Sequence, residues 1–235
     1  MSLPHQPPDL DPGFWPLCQA CRAQTMTSVE RLYALYKAVE YIVGHGVAGD
    51  FVECGVWRGG SVMMMALALQ AFGAPGRVIH CFDTFEGMPP PGASDIRHAD
   101  GAAAAAILAA APKDEGSLYW AAASLETAQR NMATTGYPPQ SIRYAKGKVE
   151  DNLPADLPER IALLRLDTDW YASTKHELLH GYPRVTPGGV IIIDDYGFWR
   201  GSRRAVDEYL AESGARLLLN RIDDTGRIAV KPGSA

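Results

Sequence analysis

The feature that most restricts the fold of this chain is a pair of short segments made almost entirely of apolar residues. The run at 161–166 reads IALLRL, and the run at 190–193 reads VIII. A strand with one face in water alternates apolar and polar residues, whereas a strand covered on both faces is apolar nearly throughout. These two runs therefore predict the centre of a parallel β-sheet with helices on each side.

The rest of the chain alternates between strand-like and helix-like segments. Further strands are predicted at 50–56, 77–82 and 141–145, helices at 29–43, 61–72, 124–135, 174–182 and 203–211, and a closing antiparallel pair of strands at 215–219 and 227–230. Such alternation is typical of parallel strands joined by crossover helices. The pattern predicts an α/β fold with a Rossmann-like, doubly wound, mostly parallel sheet and an antiparallel C-terminal hairpin.

The length of 235 residues fits one domain with additional elements. Residues 1–24 are predicted to be an N-terminal extension, and residues 25–235 to be the single domain. An insertion at about 88–120 contains the alanine run 102–111, which predicts a short helix because alanine has the highest helix propensity. Since the insertion follows the carboxyl end of a strand, we expect it to form a lid.

Composition and charge exclude several classes of protein. A hydrophobic fraction of 47% argues against a disordered chain. The net charge is -5 and no basic run extends beyond Arg203–Arg204, so nucleic acid is not expected as a partner. The sequence shows neither a secretory signal pattern nor an apolar stretch near the roughly 18 residues that a membrane span needs. We expect a cytoplasmic protein that does not bind membranes.

The four cysteines are expected to be reduced thiols. Cys54 and Cys81 lie in strand-like runs, while Cys18 and Cys21 form one CxxC without the second pair that a zinc ribbon needs. The role of the Cys18 and Cys21 pair stays open at this point.

Two strand ends predict a nucleotide-like ligand. The first strand leads into the segment ECGVWRGGS at 53–61, where glycines let a ligand approach the backbone and a helix begins with free N–H groups. The second strand ends in Asp83, a position from which a carboxylate can accept both hydroxyls of a ribose. Together they suggest an adenosine-containing ligand, although the segment does not match GxGxxG. The alternative is that the glycines serve packing and that Asp83 caps a helix.

Carboxylates end the two central strands. Asp167 and Asp169 follow the strand at 161–166, and Asp194 and Asp195 follow the strand at 190–193. No matching cluster of lysine or arginine is evident, so a bound cation is the best explanation. Oxygen ligands favour Mg²⁺, Mn²⁺ or Ca²⁺ over zinc. The alternative, a carboxylate that only caps the following helix, is our prediction for Asp169.

A second motif competes with this interpretation. His176, Glu177 and His180 fit H-E-x-x-H, which on a helix can bind zinc with the glutamate as base. Pro183 limits that helix, and the motif lies in a crossover helix instead of at the edge of the sheet. We expect the two histidines to face solvent, and keep a zinc hydrolase as an alternative.

Four segments, in this order, resemble the macrocin O-methyltransferase family. They are FVECGVWRGGS at 51–61, FDTFEGMP at 82–89, LDTDWYAST at 166–174 and GGVIIIDDY at 188–196. The resemblance extends from about residue 25 to 212. It implies a seven-stranded Rossmann-like sheet and an enzyme that methylates hydroxyls, often on sugars of bacterial natural products, with S-adenosylmethionine and a divalent cation.

The resemblance also implies roles for individual residues. Residues expected at the cofactor are Glu53, Gly55 and Ser61 at its methionine end, Asp83 at the ribose, Val149 and Glu150 at the adenine, and in addition Val56, Trp57, Thr84 and Asp167. The metal ligands would be Asp167, Asp194 and Asp195.

One position departs from the related catechol-type enzymes. Those enzymes place a lysine base three residues after the first metal aspartate, and this chain has Trp170 there. As in the macrocin family, Asp167 could then serve both as a metal ligand and as the catalytic proton acceptor, because a cation lowers the pKa of a bound hydroxyl.

The acceptor cannot be read from the sequence. The N-terminal segment, the insertion around His98 and the loop at 198–200 are expected to contact it, and their aromatic residues suit a sugar or an aromatic hydroxyl. Whether a sugar would be free, nucleotide-linked or attached to a natural product stays open. A nicotinamide-dependent oxidoreductase remains an alternative activity. The helix at 29–43, with Phe14 and Trp15, could also support a homo-oligomer.

Overall fold

The computed structural model describes residues 9–114 and 117–233, and the described chain forms one seven-stranded sheet. The strands are β1 Asp50–Cys54, β2 Ile79–Asp83, β3 Ile142–Lys146, β4 Ile161–Leu166, β5 Val185–Ile193, β6 Asn220–Arg221 and β7 Arg227–Val230. Their order is β3-β2-β1-β4-β5-β7-β6, with parallel pairing up to β5 and antiparallel pairing of β7 with β5 and β6. The predicted fold class is confirmed.

Helices cover both faces of this sheet. They are α1 Phe14–Cys21, α2 Val29–Gly44, α3 Gly60–Ala71, α4 Ala104–Ala110, α5 Leu125–Ala133, α6 Val149–Asn152, α7 Tyr171–Gly181 and α8 Arg200–Ser213. One apolar core joins α1, α2 and α3 to one face, and a second joins α6, α7 and α8 to the other. All six residues of β4 are buried, as its continuous apolar run predicted. No helix in the described ranges is both long and apolar enough to cross a bilayer.

The helix α1 lies before residue 25 yet packs into the first core. Phe14, Cys18 and Cys21 are fully buried, and the Phe14 ring centre lies 5.1 Å from that of Tyr33. All four cysteines are free, and burial raises the pKa of the Cys21 thiol to about 12. The division of the chain at residue 25 stays a prediction, but α1 and the following domain share one core.

The predicted insertion is fixed to the body of the protein. The Ile96 carbonyl accepts the N–H of Arg200 at 2.8 Å, and the His98 N–H donates to the Phe198 carbonyl at 2.9 Å. The buried Asp95 side chain accepts the N–H of Tyr171 at 2.8 Å. The helix α4 confirms the helix expected from the alanine run, while residues 115 and 116 of the insertion lie outside the described part.

The strand predicted at 215–219 is displaced to Asn220–Arg221. In that segment the leucines at 217 and 219 pack against the second core, whereas Leu218 is 79% exposed. Pairing with β7 sets the register instead, because Arg221 lies opposite Arg227 across the turn at 222–226. The predicted hairpin is present, but the bounds predicted for its first strand are wrong.

Candidate active site

The turn after β1 brings the backbone of two strands into close contact. Gly55 has a φ of +87°, and its N–H donates to the Phe82 carbonyl at 2.8 Å. A Cβ at this position would lie 1.8 Å from the Asp167 carbonyl oxygen. Only glycine fits both the backbone angle and this approach. The turn therefore places Asp167 directly beside the predicted cofactor segment.

Asp83 holds the same turn from the end of β2. Its carboxylate accepts the N–H groups of Val56 at 2.6 Å, Trp57 at 2.9 Å and Phe85 at 2.7 Å. Burial raises the pKa of Asp83, and these backbone hydrogen bonds oppose the rise. The first helix after the turn, α3, begins at Gly60, and its N-cap residue Gly59 provides no side-chain cap. Asp83 therefore stabilises the turn through backbone hydrogen bonds and does not cap α3.

A first cavity, about 660 Å³ of empty space, opens beside this turn and contains most of the residues predicted to contact the cofactor. Its lining includes Gly55, Trp57, Asp83, Thr84, Val149, Glu150 and Asp167, together with Met88, Lys148 and Ser173, which the sequence analysis did not identify. The indole N–H of Trp57 is buried without a hydrogen-bond partner among the described residues. An unsatisfied buried donor is costly, which fits a ligand group at this point.

A second cavity, about 1150 Å³, lies on the other side of Asp167. Predicted cofactor residues Val56 and Ser61 line this cavity rather than the first. Its walls include an aromatic group formed by Tyr119, Trp170, Phe198 and Trp199, drawn from the insertion and the two loops at the strand ends. The rings of Trp170 and Trp199 lie 5.0 Å apart. This cavity brings together the three regions that were expected to contact an acceptor, although His98 itself is not part of its lining.

Three carboxylates converge where the two cavities meet. Asp167, Asp194 and Asp195 each place one oxygen within 4.8 Å of the others. In the described part of the chain, no other group of three histidine, cysteine, aspartate or glutamate side chains has this geometry. An all-oxygen set of this size fits a hard divalent cation.

The expectation that these carboxylates lack arginine partners is wrong. Arg165, the single charged residue of β4, is buried and contacts Glu53, Asp194 and, at 2.9 Å, Asp167. It also donates to the Thr27 hydroxyl at 3.1 Å. A charge in a fully covered strand needs such partners, since an unpaired buried charge is very costly.

Glu53 does not line the first cavity, contrary to the prediction that it contacts the cofactor. The residue has no exposed surface, and one of its oxygens accepts from Arg165. Burial raises the pKa of Glu53 to about 8, and Arg165 opposes that rise. Glu53 supports the aspartates through Arg165 and has no surface with which to touch a ligand.

A second arginine reaches the same group from α2. The Arg31 guanidinium contacts Asp194 and donates from Nε to Asp223 at 2.9 Å. Ser28, the N-cap of α2, accepts the N–H of Arg31 at 3.1 Å and donates to Asp223 at 2.7 Å. Asp223 lies in the turn between β6 and β7, so the start of α2 and the C-terminal hairpin meet at the carboxylates.

Negative charge exceeds positive charge at this site. Around Arg31 and Arg165 lie the carboxylates of Glu53, Asp167, Asp169, Asp194 and Asp195. Burial and mutual repulsion raise the pKa values of Asp167, Asp169 and Asp195. Asp223 adds a sixth carboxylate beside Arg31, so the two guanidinium groups face more carboxylates than they can pair with, and a divalent cation is electrostatically suited to the site.

Asp169 does not cap α7, which corrects the prediction made for it. The N-cap position of α7 is Trp170, whose side chain makes no capping hydrogen bond. Asp169 has a φ of +65°, accepts the indole N–H of Trp199 at 2.6 Å and donates its own N–H to Asp195 at 3.1 Å. It links the aromatic wall of the second cavity to the carboxylates.

The H-E-x-x-H motif does not form a zinc site in the described residues. Glu177 is fully buried and accepts from the Thr168 hydroxyl at 2.8 Å. His176 contacts the Leu153 carbonyl at 3.2 Å, and its ring packs 4.4 Å from that of His180. Both histidines are partly exposed, while the glutamate points to the core.

Comparisons with known proteins show the family to which the chain belongs. The family model Macrocin-O-methyltransferase (TylF) matches residues 14–230. A tetracenomycin glycoside 4'-O-methyltransferase from Streptomyces olivaceus is 37% identical, over 93% of this chain and 80% of the relative. The demethyldecarbamoylnovobiocin O-methyltransferase of Streptomyces niveus is 34% identical, over 90% of this chain and 76% of the relative.

A solved structure shares both fold and sequence. The O-methyltransferase NovP has a TM-score of 0.77 and 33% identity, over 89% of this chain and 83% of NovP. These matches support a methyltransferase over the two alternatives raised by the sequence, the nicotinamide-dependent oxidoreductase and the zinc hydrolase. From the family match over almost the whole described chain, we conclude that this protein is an O-methyltransferase and belongs to the macrocin O-methyltransferase family.

Proposed function

We propose that the enzyme uses S-adenosylmethionine and a divalent cation, Mg²⁺ or a similar ion, to methylate a hydroxyl on the sugar of a bacterial natural product or its precursor. The observation that carries the proposal is the pair of cavities that meet at Asp167. The names of the relatives support the acceptor class, because they describe O-methyltransferases of tetracenomycin, novobiocin and mycinamicin compounds.

The first cavity suits S-adenosylmethionine. Asp83 would hold the ribose hydroxyls, and Val149 and Glu150 would flank the adenine. Gly55, which lines both cavities, would face the methionine end, with Ser61 approaching it from the second cavity. The bound cofactor supplies an electrophilic methyl group on a sulfonium. Because Asp83 already fixes the turn that contains Val56 and Trp57, it would couple ribose binding to the shape of that turn.

Asp167, Asp194 and Asp195 would hold the cation. The ion lowers the pKa of an acceptor hydroxyl beside it, so a weak base is sufficient. Asp167 is placed to accept that proton, since it lines both cavities and its own pKa is raised by burial and by Asp194. Trp170 occupies the position of the lysine of catechol-type enzymes. It is buried, and its indole N–H donates a hydrogen bond to the Pro89 carbonyl at 2.9 Å. It therefore lines the cavity and cannot act as a base.

The aromatic residues of the second cavity would orient the acceptor. Tyr119, Trp170 and Trp199 line this cavity and would provide apolar ring surface beside the acceptor, which would limit the access of water to the reacting oxygen. Methyl transfer is an in-line displacement, so holding the oxygen about 3 Å from the methyl carbon is the main contribution of the chain.

Calorimetric titration with S-adenosylmethionine tests the proposal. We expect micromolar binding to the wild-type protein that survives EDTA and is lost in Asp83→Ala. Asp156→Ala, which removes an exposed carboxylate that does not line the first cavity, is the matched control and should bind normally. Asp167→Asn should keep cofactor binding within about tenfold and lose at least about 100-fold in kcat, the usual contribution of a positioned base.

Three results would each refute a different part of the proposal. No binding of S-adenosylmethionine with or without Mg²⁺ would exclude the cofactor. Full methylation of sugar-bearing acceptors in EDTA, or full activity of Asp167→Asn, would exclude the cation or the base while leaving the cofactor in place.

A further inference from the structure

Asp194 is held from two sides by guanidinium groups. One of its oxygens accepts from Arg165 and the other from Arg31. Both oxygens of a residue that we propose as a metal ligand are therefore engaged by positive side chains. A cation that binds Asp194 must share these oxygens or displace one of the arginines.

The two arginines differ in their freedom to move. The side chain of Arg165 is 2% exposed and is fixed by Glu53, Asp167 and Thr27 as well as Asp194. Arg31 is 15% exposed and lines the second cavity. Arg31 can be displaced into the cavity, whereas Arg165 is enclosed on all sides.

Asp223 gives Arg31 a second anchor. Its oxygen accepts the Arg31 Nε at 2.9 Å and the Ser28 hydroxyl at 2.7 Å, while its other oxygen accepts the N–H groups of Thr225 and Gly226. These bonds fix Asp223 in its turn. Arg31 can keep this contact through Nε when its terminal nitrogen leaves Asp194.

We propose that Arg31 competes with the divalent cation for Asp194 and that Asp223 retains Arg31 when the cation binds. The inference rests on the proposed metal dependence. Like charges at one carboxylate repel strongly in a partly buried site, so the ion and the Arg31 nitrogen cannot share the oxygen without a cost in affinity. Arg31 sets the cation affinity of the enzyme without being a ligand.

The test is a titration of the purified protein with Mn²⁺, in which binding is monitored by electron paramagnetic resonance. Arg31→Met should bind Mn²⁺ at least about tenfold more tightly than wild type, because a charge at salt-bridge distance has been removed. Asp223→Asn should bind it more weakly, because Arg31 then stays on Asp194. In the Arg31→Met background the effect of Asp223→Asn should disappear, which distinguishes a contact through Arg31 from a general effect of charge.

Arg143→Met is the matched control, since it removes the same charge from the exposed surface of β3 and should leave the affinity unchanged. General damage to the fold would weaken binding, so tighter binding cannot arise from it. If wild type binds Mn²⁺ and Arg31→Met binds it equally or less well, the inference is wrong and the metal dependence stands. If neither protein binds Mn²⁺, both are wrong.

Discussion

At the scale of single residues, Gly55 carries two constraints at once. Its φ of +87° is unfavourable for other residues, and a Cβ would collide with the Asp167 carbonyl. Gly73 also has a positive φ, +77°, but nothing lies within 4 Å of its Cβ position. Comparing substitutions at Gly55 and Gly73 therefore distinguishes the destabilisation caused by the positive φ from that caused by the contact with Asp167.

Gly55→Ala is therefore expected to lower the free energy of unfolding by at least about 3 kcal/mol, and Gly73→Ala by about 1 kcal/mol. Urea unfolding of both variants measures the difference. Gly55→Ala should also lose binding of S-adenosylmethionine, since the turn would have to move. Equal losses of stability at the two positions would show that the contact with Asp167 contributes nothing.

Single residues also mark the limit of sequence analysis at this site. The three aspartates could be predicted because they end adjacent strands, and the carboxyl ends of parallel strands meet at one edge. Arg165 could have been recognised as well, because an arginine inside a covered apolar strand requires buried partners. Arg31 gave no such signal, since it lies on an ordinary amphipathic helix 163 residues away from Asp194.

At the scale of elements, the attachment of the insertion depends on Asp95. This buried carboxylate accepts N–H groups of Gly92 at 2.6 Å and of Tyr171 at the start of α7 at 2.8 Å. Burial raises its pKa, and the two backbone bonds oppose the rise. Asp95 joins the insertion to the helix that follows the carboxylates.

Asp95→Ala removes the acceptor of two backbone N–H groups, and a hydrogen bond to a charged group contributes about 1.5–3 kcal/mol. We expect faster hydrogen exchange across 92–104 and a higher KM for the acceptor, with little change in cofactor affinity. Asp100→Ala, which removes an exposed carboxylate of the same insertion, is the control. Unchanged exchange in Asp95→Ala would mean that the pairing of 96–98 with 198–200 is sufficient to hold the insertion.

Elements were predictable where the pattern was long or continuous. The helix α2 and the strands β4 and β7 begin and end within a residue or so of their predicted bounds. The helix α1 was missed because the prolines around it suggest irregular structure, while its stability comes from contacts of Phe14 with rings on α2. The short α6 was missed because four residues are too few for a periodic signal.

At the scale of the whole molecule, the carboxylates make stability dependent on pH. The pKa of Glu53 is raised to about 8, and those of Asp167, Asp169 and Asp195 are raised as well. A group whose pKa is higher in the folded than in the unfolded protein stabilises the folded state at pH values below its unfolded-state pKa. That stabilisation is lost as pH rises through its folded-state pKa. The loss of stability is therefore expected between about pH 4 and about pH 8.

In EDTA, the free energy of unfolding should fall between pH 5 and pH 8. If the proposed cation binds, Mg²⁺ should restore more stability at pH 8 than at pH 5, because ionised carboxylates bind it and protonated ones do not. Thermal or urea unfolding in both buffers measures this, with Asp195→Asn expected to lose most of the Mg²⁺ effect. Equal stabilisation at the two pH values would contradict the expectation.

The bond between Ser28 and Asp223 joins residues 195 positions apart. Contacts this distant form late in folding, because closing so long a loop is entropically costly until the intervening sheet has assembled. The carboxylates of β4 and β5 therefore come together before the start of α2 can reach them. The site is complete only when α2 and the turn between β6 and β7 are both in place, because Arg31 and Asp223 join the carboxylates of the two central strands.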